Sequence, residues 1–180
     1  MTNPVILVTG PARSGKSEWA ETLAMQTNQS VIYIATATLD PEDKEWLARI
    51  EKHRQRRPTS WSTLVVPVEL VTTIQTYSDE NTCLLIDSLG TWLANRLDQT
   101  AEDWERTIQQ LLDSLEQTAA TVILVAEEVG WGVVPAYPIG RLFRDRLGEL
   151  VRRLGIIANP FYLVIGGRVL DLHALGSPLR

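Results

Sequence analysis

Val5-Ile6-Leu7-Val8-Thr9-Gly10-Pro11-Ala12-Arg13-Ser14-Gly15-Lys16-Ser17 is the stretch that decides how this chain folds. Four consecutive apolar residues read as a buried strand, and the eight residues after Thr9 have the form G-x-x-x-x-G-K-S. The glycines let the backbone curl until successive N–H groups point inward, an arrangement that suits phosphate oxygens. Lys16 adds a cation near the outer phosphates, and the Ser17 hydroxyl is placed to ligand Mg2+. A helix expected from Gly15 to about Thr27 aims its positive end at the same anion. Strand before and helix after distinguish a phosphate-binding loop from an ordinary glycine-rich turn.

Outward from this loop, strand-like runs recur at Val5–Thr9, Val31–Ala35, Cys83–Asp87, Val122–Ala126 and Phe161–Ile165. Helical patterns lie between most of them, which predicts a parallel α/β sheet with ligands at the C-terminal strand ends. Asp40-Pro41 reads as a helix start, with the pattern running to about Arg57 before Pro58. Further helices are expected from about Thr100 to Ala120 and from Pro138 to about Leu154. Gly166-Gly167 breaks the last apolar segment and predicts a hairpin that closes the sheet. The expected architecture is an α/β, P-loop NTPase-type three-layer sandwich, with a mostly parallel sheet and a C-terminal hairpin. With short linkers throughout, residues 1–180 read as one nucleotide-binding domain.

The composition, 44% hydrophobic and 22% charged, is that of a globular protein, and the net charge of −5 argues against nucleic acid as a general partner. No apolar run approaches the ~20 residues a membrane span needs, so a cytoplasmic protein is expected. The single cysteine, Cys83, falls in an apolar run and reads as a buried free thiol. Trp19, Trp46, Trp61, Trp92 and Trp104 read as core or core-margin residues, whereas Trp131, between Gly130 and Gly132, is placed to cover a ligand.

Four groups of residues carry candidate chemistry. Asp87 ends the strand Cys83–Asp87, and opposite a phosphate loop such a carboxylate holds Mg2+ or one of its waters; the alternative is a helix cap. Arg49, His53 and Arg57 lie at i, i+4 and i+8 of the helix after Asp40, with Arg54 and Arg56 beside them. Those cations disfavour an imidazolium and attract phosphates, so the lane suits transfer of a phosphoryl or nucleotidyl group onto His53, or is a solvated basic face. Glu127 and Glu128 close the fourth apolar run, where either a general base or structural acids are expected. Arg141, Arg144 and Asp145 share a helix face and read as an ion-pair face or an anion clamp.

Taken together these segments resemble the bifunctional adenosylcobinamide kinase/adenosylcobinamide-phosphate guanylyltransferase family over nearly the whole chain. The resemblance rests on Thr9 to Ser17, on Tyr33-Ile34-Ala35-Thr36-Ala37, and on Arg49-Ile50-Glu51-Lys52-His53 leading to Arg57-Pro58 and Trp61. It continues through Glu128-Val129-Gly130-Trp131-Gly132-Val133-Val134-Pro135, with Arg141, Phe143, Arg144, Asp145 and Gly148 after it. It implies phosphorylation of adenosylcobinamide by GTP or ATP, then transfer of GMP from GTP to adenosylcobinamide phosphate through a GMP–histidine intermediate. The matching histidine is His53, and Lys16 is the matching catalytic lysine. Implied nucleotide contacts are Gly10, Pro11, Ala12, Arg13, Ser14, Gly15, Lys16, Ser17, Ala35, Thr36, Ala37, Arg54, Gln55, Arg56, Arg57 and Asp87, with Ser17 and Asp87 on Mg2+. A homotrimer is likewise implied. The chain departs from the family pattern at Pro11, Val65, Ser88, Gly90 and Glu127.

Two other readings fit parts of the same sequence. A P-loop small-molecule kinase without nucleotidyl transfer needs no His53. A nucleotide-binding module without catalysis, including a regulatory switch, needs only the loop, but the N-K-x-D sequence that reads guanine in switch GTPases is absent.

Overall fold

The computed structural model describes residues 4–38, 42, 48, 51, 54–177 and 179. Seven strands form one sheet: β1 (Val5–Gly10), β2 (Ser30–Ala35), β3 (Ser62–Val65), β4 (Thr82–Asp87), β5 (Thr121–Glu127), β6 (Phe161–Ile165) and β7 (Arg168–Asp171). Among the described residues six helices with both ends placed accompany them: α1 (Lys16–Gln26), α2 (Leu70–Thr76), α3 (Leu89–Ala94), α4 (Ala101–Gln117), α5 (Pro138–Ile157) and α6 (Leu172–Leu175).

The strand order is β3-β2-β4-β5-β1-β6-β7, parallel throughout except for the antiparallel β6–β7 pair. Each apolar run serves two faces, because successive side chains point to opposite sides. Leu7, Ile34, Leu84, Ile86, Val122 and Leu124 belong to one core, which holds Trp92, Trp104, Ile108, Leu111, Leu147 and Leu150 from α3, α4 and α5. Ile6, Val8, Tyr33, Cys83, Leu85, Ile123 and Val125 belong to the other, packed on Ala20 and Ala24 of α1. The result is the expected three-layer sandwich with covered sheet faces.

Local chemistry fixes the ends of these elements. Thr100 caps α4 by accepting from Asp103 N at 3.1 Å, with Glu102 and Asp103 in the first turn. Pro138 opens α5, where its missing N–H has no partner to lose. Gly166 and Gly167, at φ 57° and 71°, turn the β6–β7 hairpin in the two-residue form that needs positive φ at both positions. Cys83 is fully buried, Trp92 and Trp104 lie in the core, and Trp19 and Trp61 pack on its margin. The expected helix from Asp40, with Trp46 in it, lies mostly outside the described residues, although 54–56 are helical.

Four elements have no counterpart in the sequence reading: β3, α2, α3 and the one-turn helix α6. β3 is an exposed four-residue edge, and α2 is built largely of β-branched residues, which favour strands when taken alone.

Candidate active site

Gly10, Ala35, Asp87 and Glu127 all end parallel strands on the same rim of the sheet, and the phosphate loop rises from the first of them. The loop is held by its own backbone: Ser14 N donates to Pro11 O at 3.3 Å and Trp19 N to Gly15 O at 2.9 Å. Arg13 takes φ 59°, and Gly15 takes φ 95° as the residue before α1, which has no side-chain cap at its N-terminus. Those first-turn N–H groups and the helix dipole are therefore left for an anion. Ser14 Oγ is buried without a hydrogen-bond partner, a polar atom of the kind a phosphate oxygen satisfies. Lys16 Nζ lies over the loop, donating to Pro11 O at 3.4 Å.

Around the loop stand four acids. Asp87 Oδ2 accepts from the Tyr33 hydroxyl at 3.0 Å. Glu21, one turn along α1 from Ser17, is pushed toward protonation by burial, against the pull of Arg56. Glu127 is likewise pushed up by burial, opposed by the Ser88 hydrogen bond and the charge of Lys16. Both of its oxygens are engaged, Oε1 by the Ser88 hydroxyl and Oε2 by Gly90 N at 3.0 Å. Glu127 thus latches the end of β5 to the start of α3. Its neighbour Glu128 faces the loop strand, accepting from Thr9 Oγ1 at 2.9 Å, while its N–H donates to Gly10 O at 2.9 Å.

The latch yields a stability prediction. A carboxyl whose pKa rises on folding contributes stability that is present below the ordinary carboxylate range and lost as pH rises. Glu127→Gln escapes that loss, and the Ser88 hydroxyl can turn to accept from the new amide while donating to Thr91 Oγ1 at 3.0 Å. In thermal melts the variant is expected to gain on the wild type as pH rises from about 4 to about 7, by roughly 2–4 °C per kcal/mol relieved. A difference that shrinks with rising pH would contradict it.

The arginine segment closes the site from the other side. Arg56 reaches Glu18 at 2.5 Å and Glu21 at 3.4 Å on α1. The Arg57 guanidinium lies 3.7 Å above the Tyr33 ring and donates to Thr63 Oγ1 at 3.3 Å. Gln55 Nε2 donates to Glu51 Oε1 at 3.2 Å, and Arg54 is 3.8 Å from Glu51. His53 and Arg49 lie outside the described residues.

In the Ala35-Thr36-Ala37 segment, Thr36 is fully buried; its hydroxyl donates to Ser88 O at 2.7 Å and accepts from Ser88 N at 2.9 Å. It ties β2 to β4, and what the segment can offer a ligand is its backbone and the two alanine methyls. Val65, on the sheet edge, is 53% exposed.

Arg141 donates to the carbonyls of Pro135 at 3.0 Å and Ala136 at 2.7 Å, pinning the loop that leaves β5. Arg144 pairs with Asp145 at 3.0 Å, so this face is an ion-pair and loop-anchoring face. The loop itself carries exposed apolar residues: Trp131, Val133, Val134 and Tyr137. Sequence reasoning missed Tyr33 and Glu21 as neighbours of Asp87. The signals were present: Tyr33 shares the alternation that puts Asp87 on the α1 face, and Glu21 follows Ser17 by one helical turn.

Among the described residues no three His, Cys, Asp or Glu side chains gather as a metal cage. A single carboxylate and a hydroxyl beside a phosphate cradle instead suit a Mg2+ ion that takes its other ligands from phosphate and water.

Comparisons with known proteins agree with this geometry. A Pyrococcus horikoshii protein of solved structure matches with a TM-score of 0.58 at 6% identity, over 94% of this chain and 85% of its own. An ATPase of a bacterial type III secretion system matches at 0.55 and 11% identity, over 96% of this chain and 53% of that one. At such identities the likeness is one of fold, P-loop NTPase-type α/β. Sequence relatives are nearer. The bifunctional adenosylcobalamin biosynthesis protein CobP of Pseudomonas aeruginosa is 38% identical, over 96% of this chain and 98% of its own. The corresponding CobU of Escherichia coli is 37% identical, over 91% and 96%. Residues 6–172 match the cobinamide kinase / cobinamide phosphate guanyltransferase family, and the chain belongs to this family of transferases.

Proposed function

We propose that this protein phosphorylates adenosylcobinamide and then transfers GMP from GTP to the resulting phosphate, giving adenosylcobinamide-GDP. The observation that carries the reading is the family match from residue 6 to residue 172, which takes in all seven strands of the described sheet except Val5 at the start of β1. The phosphate loop supports it, with its uncapped helix start and unpartnered Ser14 hydroxyl.

In the first reaction the loop N–H groups at the start of α1, Gly15 to Ser17, and the Lys16 ammonium hold the phosphates of GTP or ATP. The substrate hydroxyl attacks the γ-phosphorus, the nucleoside diphosphate leaves, and the hydroxyl proton passes to a carboxylate. Glu127 has both oxygens committed to the latch, so Glu128 is the acid to test in that role. Ser17 and Asp87 would hold Mg2+, which supplies charge neutralisation at the phosphates when bound.

In the second reaction a neutral His53 imidazole attacks the α-phosphorus of GTP and pyrophosphate leaves. An oxygen of adenosylcobinamide phosphate then attacks the phosphoramidate, the P–N bond breaks, and the imidazole is regenerated. Arg54 to Arg57 stabilise charge on the phosphoryl oxygens. The exposed apolar loop from Trp131 to Tyr137, leaving the same strand end, gives the bulky corrinoid a surface beside the phosphates. The working form is a cytoplasmic homotrimer.

Intact mass after incubation with Mg2+ and GTP tests the reading. Wild type is expected to gain one acid-labile GMP, and His53→Ala none. Retained phosphorylation of adenosylcobinamide with no adduct on wild type would leave a small-molecule kinase. Loss of both would leave a nucleotide-binding module.

A further inference from the structure

Tyr33 is a core strand residue that does more than fill space. It is 5% exposed, and its position in β2 is in register with Thr63 of β3 and Leu85 of β4. From there its hydroxyl reaches Asp87 Oδ2 at 3.0 Å, and the Arg57 guanidinium rests 3.7 Å above its ring. Arg57 is also held by Thr63 Oγ1 at 3.3 Å, so the ring and the edge strand together seat it. One side chain therefore touches the carboxylate at the phosphate loop with its polar tip and the arginine segment with its face. A phenol is suited to both, since the O–H orients a carboxylate and the π-face attracts a guanidinium.

We propose that Tyr33 is a positioning residue that sets two parts of the site independently. The hydroxyl fixes Asp87 through Oδ2, so that the carboxylate would be held in one orientation for a cation; the ring fixes Arg57 and with it the end of the arginine segment. The first half rests on the reading of Asp87 as a metal ligand given under Proposed function. The second half rests on contacts in the protein alone.

Two variants separate the halves. Tyr33→Phe keeps the ring and removes the hydroxyl; Tyr33→Met removes both at similar volume. The first readout is the Mg2+ concentration that half-saturates binding of a non-hydrolysable GTP analogue, followed by tryptophan fluorescence. The second is the rate of tryptic cleavage after Arg54 and Arg56 without nucleotide.

Tyr33→Phe is expected to raise the Mg2+ requirement at least about tenfold, the scale of a lost hydrogen bond to a charged group, and to leave cleavage unchanged. Tyr33→Met is expected to raise the Mg2+ requirement equally and to speed cleavage several-fold. If Tyr33→Met does not fold, Arg57→Lys replaces it, with faster cleavage expected because a lysine cannot stack its charge as a flat guanidinium does. An unchanged or lower Mg2+ requirement in Tyr33→Phe, or Mg2+-independent binding in wild type, overturns the hydroxyl's role. Cleavage that is fast already in Tyr33→Phe, or unchanged without the ring or the guanidinium, overturns the ring's role. Neither readout needs turnover, so absence of a GMP adduct on wild type would sink the proposed function and leave these results standing.

Discussion

Replacing Lys16 with alanine is expected to lower kcat/KM for phosphorylation of adenosylcobinamide by about 10²–10³-fold, the usual cost of removing one group that stabilises charge in the transition state. The fold is expected to survive. Lys16 is the first residue of α1, and its ammonium makes one long hydrogen bond, to Pro11 O at 3.4 Å, with no part in either apolar core. Such a position costs little when truncated, within about 0.5 kcal/mol of wild-type stability. The charge of Lys16 also favours the ionised form of Glu127, so its removal leaves burial less opposed and moves that carboxyl further toward protonation. Initial rates and thermal melts on the same preparation check the claim. A rate within threefold of wild type would remove Lys16 from the chemistry, and a large fall in Tm would make it a structural residue instead.

The parts of this fold legible in the sequence were those that repeat a simple rule over many residues. Buried parallel strands show as apolar runs; β1, β2, β4, β5 and β6 were each placed to within a residue at either end. α4 was legible from the spacing of Trp104, Ile108, Leu111 and Leu115 and from its Thr100 cap. α2 was not, since Val71, Thr72, Thr73 and Ile74 argue for a strand locally and become helical through burial of Leu70 and Ile74. The strand order was beyond reach as well. It puts β5 between the loop strand and Asp87, and only that placement brings Glu127 against Ser88 and Gly90, residues 39 and 37 positions away.

That latch changes the meaning of three departures from the family pattern. Ser88, Gly90 and Glu127, read one at a time, look like separate losses, but they meet as one contact. Ser88 supplies a hydroxyl to one oxygen and Gly90 an N–H to the other, at a point where a methyl group would overlap the carboxylate. A side chain at position 90 and the carboxylate of Glu127 as placed here are incompatible without rearrangement, so this placement of Glu127 requires glycine at 90. Pro11 is different: it gives up an N–H to the cradle, yet its carbonyl accepts both Ser14 N and Lys16 Nζ and so shapes the loop from the acceptor side.

Gly10→Ala is expected to be the most damaging single methyl group in the chain, lowering both stability and nucleotide binding. The reason is space. A β-carbon there would overlap the carbonyl oxygen of Val164 and lie 2.7 Å from Ser14 Oγ, with Val164 C at 3.3 Å. Two of those atoms are backbone of β6, the strand paired with β1 through Leu7, Val8 and Thr9, so the obstacle cannot rotate away. Val164 is itself in the core beneath α1, and moving its carbonyl disturbs that packing. Overpacking of this kind costs about 1–3 kcal/mol or more, which in a chain of this size is a fall in Tm of roughly 2–4 °C per kcal/mol. If the strain is relieved at Ser14 instead, the loop opens and the cradle is lost, so affinity for a GTP analogue is expected to fall at least about tenfold, on the scale of one strong hydrogen bond to a charged group. Gly132→Ala is the control: nothing stands within 4 Å of the added carbon, and its stability is expected to stay within about 0.5 kcal/mol of wild type. Melting and analogue titration on both variants decide the matter. A Gly10→Ala protein with wild-type Tm and affinity would mean that β6 does not press on the loop and that the last parallel strand does not help to set the phosphate cradle.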